Sequence, residues 1–166
     1  MRFRSWSYRF AEEVMNSKFS LKQEIEEIIR AVDLDLSELS RPRLNKEFEK
    51  EFLERDWEKE PQVFEGPADP QAKIDFLKDR VGVEVAFTHS SFIGIDLLKF
   101  QTLSYSYLDR IDVGVYIMVT KDYRRKLIKE YDQPWSGSLT YEKVQDYLPH
   151  FRSAIQVPIW IIGLEE

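Results

Sequence analysis

Hydrophobic positions change their period along the chain, and the changes predict its elements. Between Ser20 and Val32, apolar residues (Leu21, Ile25, Ile28, Ile29, Val32) recur every three or four positions, with Glu24, Glu26 and Glu27 on the other side. That spacing predicts an amphipathic helix with Ser20 as its N-cap. After a short connector, Asp33 to Pro42, the segment Asn45 to Trp57 sets Phe48, Phe52 and Leu53 in a charged background and predicts a second helix. Residues 60–71 hold Pro61, Gly66, Pro67 and Pro70 and predict an irregular loop. Beyond it the period drops to two. Lys73 to Leu77 and Arg80 to Thr88 predict a hairpin turning at Lys78-Asp79. In its second strand Val81, Val83, Val85 and Phe87 point one way, and Gly82, Glu84, Ala86 and Thr88 the other. Phe92 to Tyr107 returns to helical spacing. Val113 to Val119 is a nearly continuous apolar run, suited to a strand buried on both faces. Thr140 to Ser153 predicts a helix and Val157 to Leu164 a last strand. Strand, helix, strand, helix, strand from residue 81 onward requires two parallel crossovers. The expected fold is therefore α/β, a mixed central sheet flanked by helices.

Composition narrows the class. At 166 residues the chain is one domain, with a helical part over residues 1–60 and a core over 73–164. It has no cysteine, which excludes disulfide scaffolds, zinc ribbons and thiol nucleophiles. With 24 basic against 30 acidic residues the net charge is −6, suited to a soluble, cytoplasmic protein rather than one that coats nucleic acid. No apolar run is long enough to span a membrane, and no secretory signal is expected at the start.

The chemistry gathers on the hairpin. Asp75 and Glu84 each interrupt an otherwise apolar strand. Carboxylates beside a core are costly unless hydrogen bonds or a cation satisfy them, and two close together raise each other's pKa. A hard divalent cation resolves both problems and can polarise a phosphoryl oxygen. The plain alternative leaves Glu84 facing solvent on an edge strand and Asp75 paired with Lys73, Arg80 or Lys99. Elsewhere, His89 follows the acidic strand and is a candidate base, or simply a capping residue. His150 reads as structural, and Ser90-Ser91 carries no triad geometry. Lys121, Arg124, Arg125, Lys126 and Lys129 form the one dense basic cluster, either a phosphate-backbone surface or a solvated helix face. Arg2, Arg4 and Arg9 with Trp6 and Tyr8 predict either an arm in a DNA groove or a frayed terminus. Trp135, in the loop Asp132 to Gly137, is a candidate for base or partner contact, whereas Trp57 and Trp160 are expected in the core.

Ile74-Asp75-Phe76, followed by Val83-Glu84-Val85-Ala86-Phe87, resembles the PD-(D/E)XK nuclease core in the variant of the BglII/BamHI group of type II restriction endonucleases. The likeness extends in order over residues 8–165. Ala11 to Asn16 with Glu24 to Glu27 resembles that group's first helical region, and Asn45 to Trp57 its second helix. Val115 to Lys121 resembles the strand after the core helix, and Val157 to Leu164 the last core strand. The resemblance implies a restriction-endonuclease-like fold and an endodeoxyribonuclease dependent on Mg²⁺, with Mn²⁺ as a substitute. It implies a homodimer acting on double-stranded DNA at a short palindromic site, and a cognate DNA methyltransferase as a partner. It makes Asp75 and Glu84 metal ligands and sets the backbone carbonyl of Val85 beside the metal. Read from their charge and not from the resemblance, Lys121, Arg124, Arg125 and Lys126 are the candidates to contact DNA. The helix Phe92 to Tyr107, through Gln101, Ser104 and Tyr105, would form the dimer surface. The chain ends soon after the last core strand, so the extension that adds DNA contacts in that group is expected to be absent. The group's third site position, Lys, Glu or Gln in relatives, falls on Ala86, which can neither hold nor activate a water. Three readings stay open. The role has moved to His89, Lys99 or Lys78; the protein binds DNA without cutting it; or the alanine was introduced to trap a complex.

Overall fold

A computed structural model describes residues 1–63, 72–105 and 109–166. Its strands are β1 (Arg2–Tyr8), β2 (Glu58–Lys59), β3 (Phe76–Lys78), β4 (Val81–Val85), β5 (Val113–Val119) and β6 (Ile159–Glu165). Its helices are α1 (Ala11–Ser17), α2 (Phe19–Ala31), α3 (Arg41–Leu53), α4 (Ile93–Tyr105), α5 (Lys121–Tyr131) and α6 (Tyr141–Tyr147). The strands form one mixed sheet in the order β1-β6-β5-β4-β3-β2. β4, β5 and β6 run parallel, joined by the two expected crossovers, and the remaining neighbours are antiparallel.

Period-two alternation divides the interior into two cores. Val81, Val83, Val85 and Phe87 join Val113, Val115, Ile117 and Val119, and Trp160, Ile162 and Leu164, under α1, α2, α3 and α5. Ala86, Tyr116, Met118, Ile159 and Ile161 face α4 and α6. Both faces of the central strands are thus covered, as parallel strands require. Glu84 sits on the α4 side by the same alternation. Gly114 lets α4 lie close to the sheet there, because a Cβ at that position would meet the Phe100 ring at 2.6 Å.

Several boundaries differ from the sequence reading. The second helix begins earlier, at Arg41, because Ser40 caps it through the Arg43 N–H and Pro42 fits the first turn. Ser20 lies inside α2 and caps nothing. The hairpin turns at Asp79-Arg80, both at positive φ, and its first strand is only Phe76–Lys78, so Asp75 lies just before it. The last helix stops at Tyr147, where Pro149 forces a 3₁₀ turn over Leu148–Phe151. The loop at 60–71 falls largely outside the described residues, as does the expected end of the helix reaching Tyr107. The N-terminal basic segment is neither an arm nor frayed. It is edge strand β1, paired from Arg2↔Glu165 to Tyr8↔Ile159, with the Tyr8 hydroxyl donating to Ile155 O at 2.7 Å. Trp135 is not exposed. It is buried edge-on against Phe87, and its indole N–H donates to Gln133. Trp57 and Trp160 lie in the core as expected. No helix among the described residues is long and apolar enough to cross a membrane.

Candidate active site

Asp75 is held by backbone on both sides. Ile74 is buried before it, and Phe76 after it stacks on Phe52 of α3 at 4.3 Å. Its carbonyl accepts from the Glu60 N–H (2.8 Å) and its Oδ2 from the Val85 N–H (2.7 Å). Glu84 lies in the middle of β4, buried. The ladder to β5 continues beyond it through the Ala86 N–H, which donates to Ile117 O at 2.8 Å. Two acids that lie nine positions apart in the chain therefore meet across the β3–β4 hairpin.

Both line a cavity of about 260 Å³. Its other walls are Asn45 and Glu49 of α3, Lys59 and Glu60 near β2, and Val85, Ala86 and Thr88 of the acidic strand and its exit. Glu84 Oε1 accepts from Lys99 Nζ at 2.7 Å. Its Oε2 is buried and has no hydrogen-bond partner. Such an atom is costly to leave unsatisfied, and an oxygen ligand with a spare lone pair beside a second carboxylate suits a hard cation.

Burial drives the electrostatics. Desolvation pushes the Asp75 carboxyl up to about 6, against the pull of the Val85 N–H and Lys99. It pushes Glu84 well above the usual carboxylate range, with Asp75 and Asp96 adding repulsion and Lys99 opposing them. Burial pulls Lys99 down, but Glu84 and Asp96 outweigh it and raise the ammonium above its ordinary value, so it stays charged. No third His, Cys, Asp or Glu side chain completes a metal-binding group with this pair among the described residues. The family resemblance adds the Val85 carbonyl to these two carboxylates.

The other sequence candidates separate clearly. Lys99 reaches Glu84 from the α4 side, without lining the cavity. Lys78 does not: it points to the opposite side, where its ammonium donates to Glu24 (2.9 and 3.1 Å) and to Arg55 O (2.7 Å). His89 is not among the cavity's lining residues. Its Nδ1 accepts from the Ser91 N–H at the start of a 3₁₀ turn, and its ring lies against Gly137, where a Cβ would meet it at 2.7 Å. Among the basic cluster, Arg124 donates to Ser138 O, Arg125 pairs with Asp122, and Lys126 pairs with Glu166. That cluster occupies α5 and lines no part of the carboxylate cavity. Gln101 is not a free surface group, because its Oε1 accepts from the Gln156 and Val157 N–H groups.

Sequence reasoning missed Asp96. It is buried on α4 three residues before Lys99, with which it pairs at 3.3 Å. The signal was present: Asp96 falls three after Ile93 and four before Phe100, on the apolar face, where an acid needs a partner. The α3 and β2 walls of the cavity carried no such signal.

The mixed six-stranded sheet with helices on both faces is the restriction-endonuclease-like fold, as its match to solved restriction endonucleases shows. The chain belongs to the restriction endonuclease BglII/BglIII family, which matches residues 3–164. Seven chains of known structure match it. One is the crystal structure of restriction endonuclease BglII complexed with a DNA 16-mer: TM-score 0.79, 21% identity, covering 100% of this chain and 79% of that one. Another is free BglII, with TM-score 0.66 and 24% identity, covering 100% and 80%. No curated protein matches.

Proposed function

We propose that the chain is a Mg²⁺-dependent endodeoxyribonuclease, with Mn²⁺ able to substitute, that cuts both strands of duplex DNA at a short palindromic site as a homodimer. The observation that carries this reading is the buried, unpartnered Glu84 Oε2, on a residue that lines one cavity with Asp75, in a chain of a DNA endonuclease family. Asp75, Glu84 and the Val85 carbonyl would hold the cation, which would supply Lewis-acid activation of water and charge stabilisation at the phosphoryl group. Lys99 takes the role that Ala86 cannot fill. It is the charged donor on Glu84, and it approaches from the helix on the Ala86 side of the strand, where a methyl group leaves room.

Lys121, Arg124, Arg125 and Lys126 on α5, outside the cavity, offer the duplex a basic backbone contact. The partner copy is met through α4. Phe92, Ile95 and Leu98, three residues apart, present an exposed apolar row, continued by Tyr105. Tyr147, the last residue of α6, and Phe151, in the 3₁₀ turn after it, form an aromatic pair that exposes further apolar surface. A two-fold target needs two such subunits.

Incubation of supercoiled plasmid with the protein and Mg²⁺ or Mn²⁺ tests the reading. Linear product that disappears with a chelator is expected. A second reading, an inert DNA binder, is favoured by Ala86 alone; retention of duplex at low salt without cutting in either metal would establish it. Leu98→Glu is expected to convert the dimer to a monomer in sedimentation velocity and to turn linearisation into single-strand nicking. A monomeric wild type would end the dimer reading.

A further inference from the structure

On the α4 side of Glu84 a buried acid and a buried tyrosine make a polar contact between helix and sheet. Asp96 is a buried acid on an otherwise apolar helix face. Its Oδ2 accepts from the Tyr116 hydroxyl at 2.7 Å, and its Oδ1 lies 3.3 Å from Lys99 Nζ. Tyr116 stands directly beside Glu84 in the parallel β4–β5 register, on the same face of the sheet. Its ring is locked edge-on to Phe100 at 5.8 Å, and Phe100 is itself seated on Gly114. The connection therefore runs from a rigid aromatic pair through Tyr116, Asp96 and Lys99 to a single oxygen of Glu84.

We propose that Asp96 and Tyr116 are positioning residues that clamp the Lys99 ammonium on Glu84 Oε1, so that Oε2 is left without a protein donor. The proposal rests on the metal-site reading above. Lys has three donors on a long flexible stem and does not choose one acceptor by itself. Asp96, fixed by a hydroxyl from the sheet, takes up the second direction and balances the ammonium's charge. The ammonium is thereby shared between two acids and not directed at Glu84 alone. Without Asp96 the full positive charge of Lys99 bears on Glu84, and the stem is free to swing into the position a metal ion would take. A neighbour that orients a ligand in this way commonly changes metal affinity by about 10–100-fold.

Two readouts on the intact chain separate the clamp from the metal site. The first is the lysine side-chain ¹H–¹⁵N spectrum without metal, in which an ammonium held by two acids gives a slowly exchanging signal, identified by its loss in Lys99→Met. The second is Mn²⁺ binding followed by electron paramagnetic resonance, without DNA. Asp96→Asn is expected to abolish the protected signal and to weaken Mn²⁺ binding about tenfold or more. Tyr116→Phe, which removes one hydroxyl from the core, is expected to act in the same direction by a smaller factor and carries the test if Asp96→Asn fails to fold. An unchanged signal and unchanged Mn²⁺ affinity in the folded variants would overturn the clamp while leaving the metal site standing. Loss of the signal in Asp96→Asn, in a protein whose wild type holds no Mn²⁺, would establish the clamp and sink the metal reading.

Discussion

Asp75→Asn is expected to eliminate DNA cleavage, by about 10³-fold or more, and at the same time to stabilise the metal-free protein. The second effect follows from the sign of the pKa shift. Asp75 titrates at about 6 in the fold, above the ordinary 3.8, because burial disfavours its charged form. The folded chain therefore binds this proton more tightly than the unfolded chain. Its contribution favours folding below about pH 4, erodes as pH rises through 6, and stands as a penalty above that. A shift of this size corresponds to roughly 2–3 kcal/mol, reduced by what solvent the open cavity admits. Asparagine carries no charge to desolvate and its amide oxygen can still accept from the Val85 N–H. A rise in melting temperature of about 5 °C at pH 8 is expected, fading below pH 5. Added Mg²⁺ reverses the ranking, because it stabilises the wild type by mass action and not the variant. Calorimetry at pH 5 and pH 8, with and without Mg²⁺, gives four numbers. A variant less stable than wild type at pH 8 without metal would refute the account of Asp75 as a strained ligand.

Lys99→Ala is expected to lower the cleavage rate about 10²–10⁴-fold, the range for losing a positioned acid–base or charged donor. It is also expected to destabilise the fold by about 3 kcal/mol at neutral pH, since removing one member of a buried ion-paired set leaves the others uncompensated. Glu84 and Asp96 would then face each other without a cation. Lys at position 86 offers a way to separate the two effects. Ala86 shares its strand face with Glu84 and lines the cavity. Restoration of cutting in Lys99→Ala with Ala86→Lys, measured as initial plasmid cleavage rates, is the expected result. Full activity in Lys99→Ala alone would show that the third role lies elsewhere.

The parts of the fold legible in sequence were those governed by local periodicity. β4 announced itself because Gly82 and Glu84 alternate with three valines, and β5 because every position of its run faces protein. The boundaries that shifted are set by contacts distant in sequence. Asp75 falls before β3, not inside it, because β3 is defined by pairing with Glu58–Lys59 and with β4, not by the apolar Ile74 that precedes it. β1 was missed because its Arg, Ser and aromatic residues belong to an edge, where one side faces water and the pattern weakens. Within the site, the acidic pair was readable from two charges breaking apolar strands. The neighbouring Asp96–Tyr116 contact was not, because it depends on how closely α4 approaches the sheet at Gly114.

The pairing of Arg2–Tyr8 with Ile159–Glu165 joins segments from opposite ends of the described chain. During synthesis the first of these emerges long before its neighbour exists, and its backbone donors must meanwhile be satisfied by water. Closing so long a loop is slow, and contacts of such separation form late. The hairpin bearing the two acids is local, and the groups that surround Glu84 (Lys99, Asp96 and Tyr116) all precede the last strand, so the site's neighbours are made before that closure takes place.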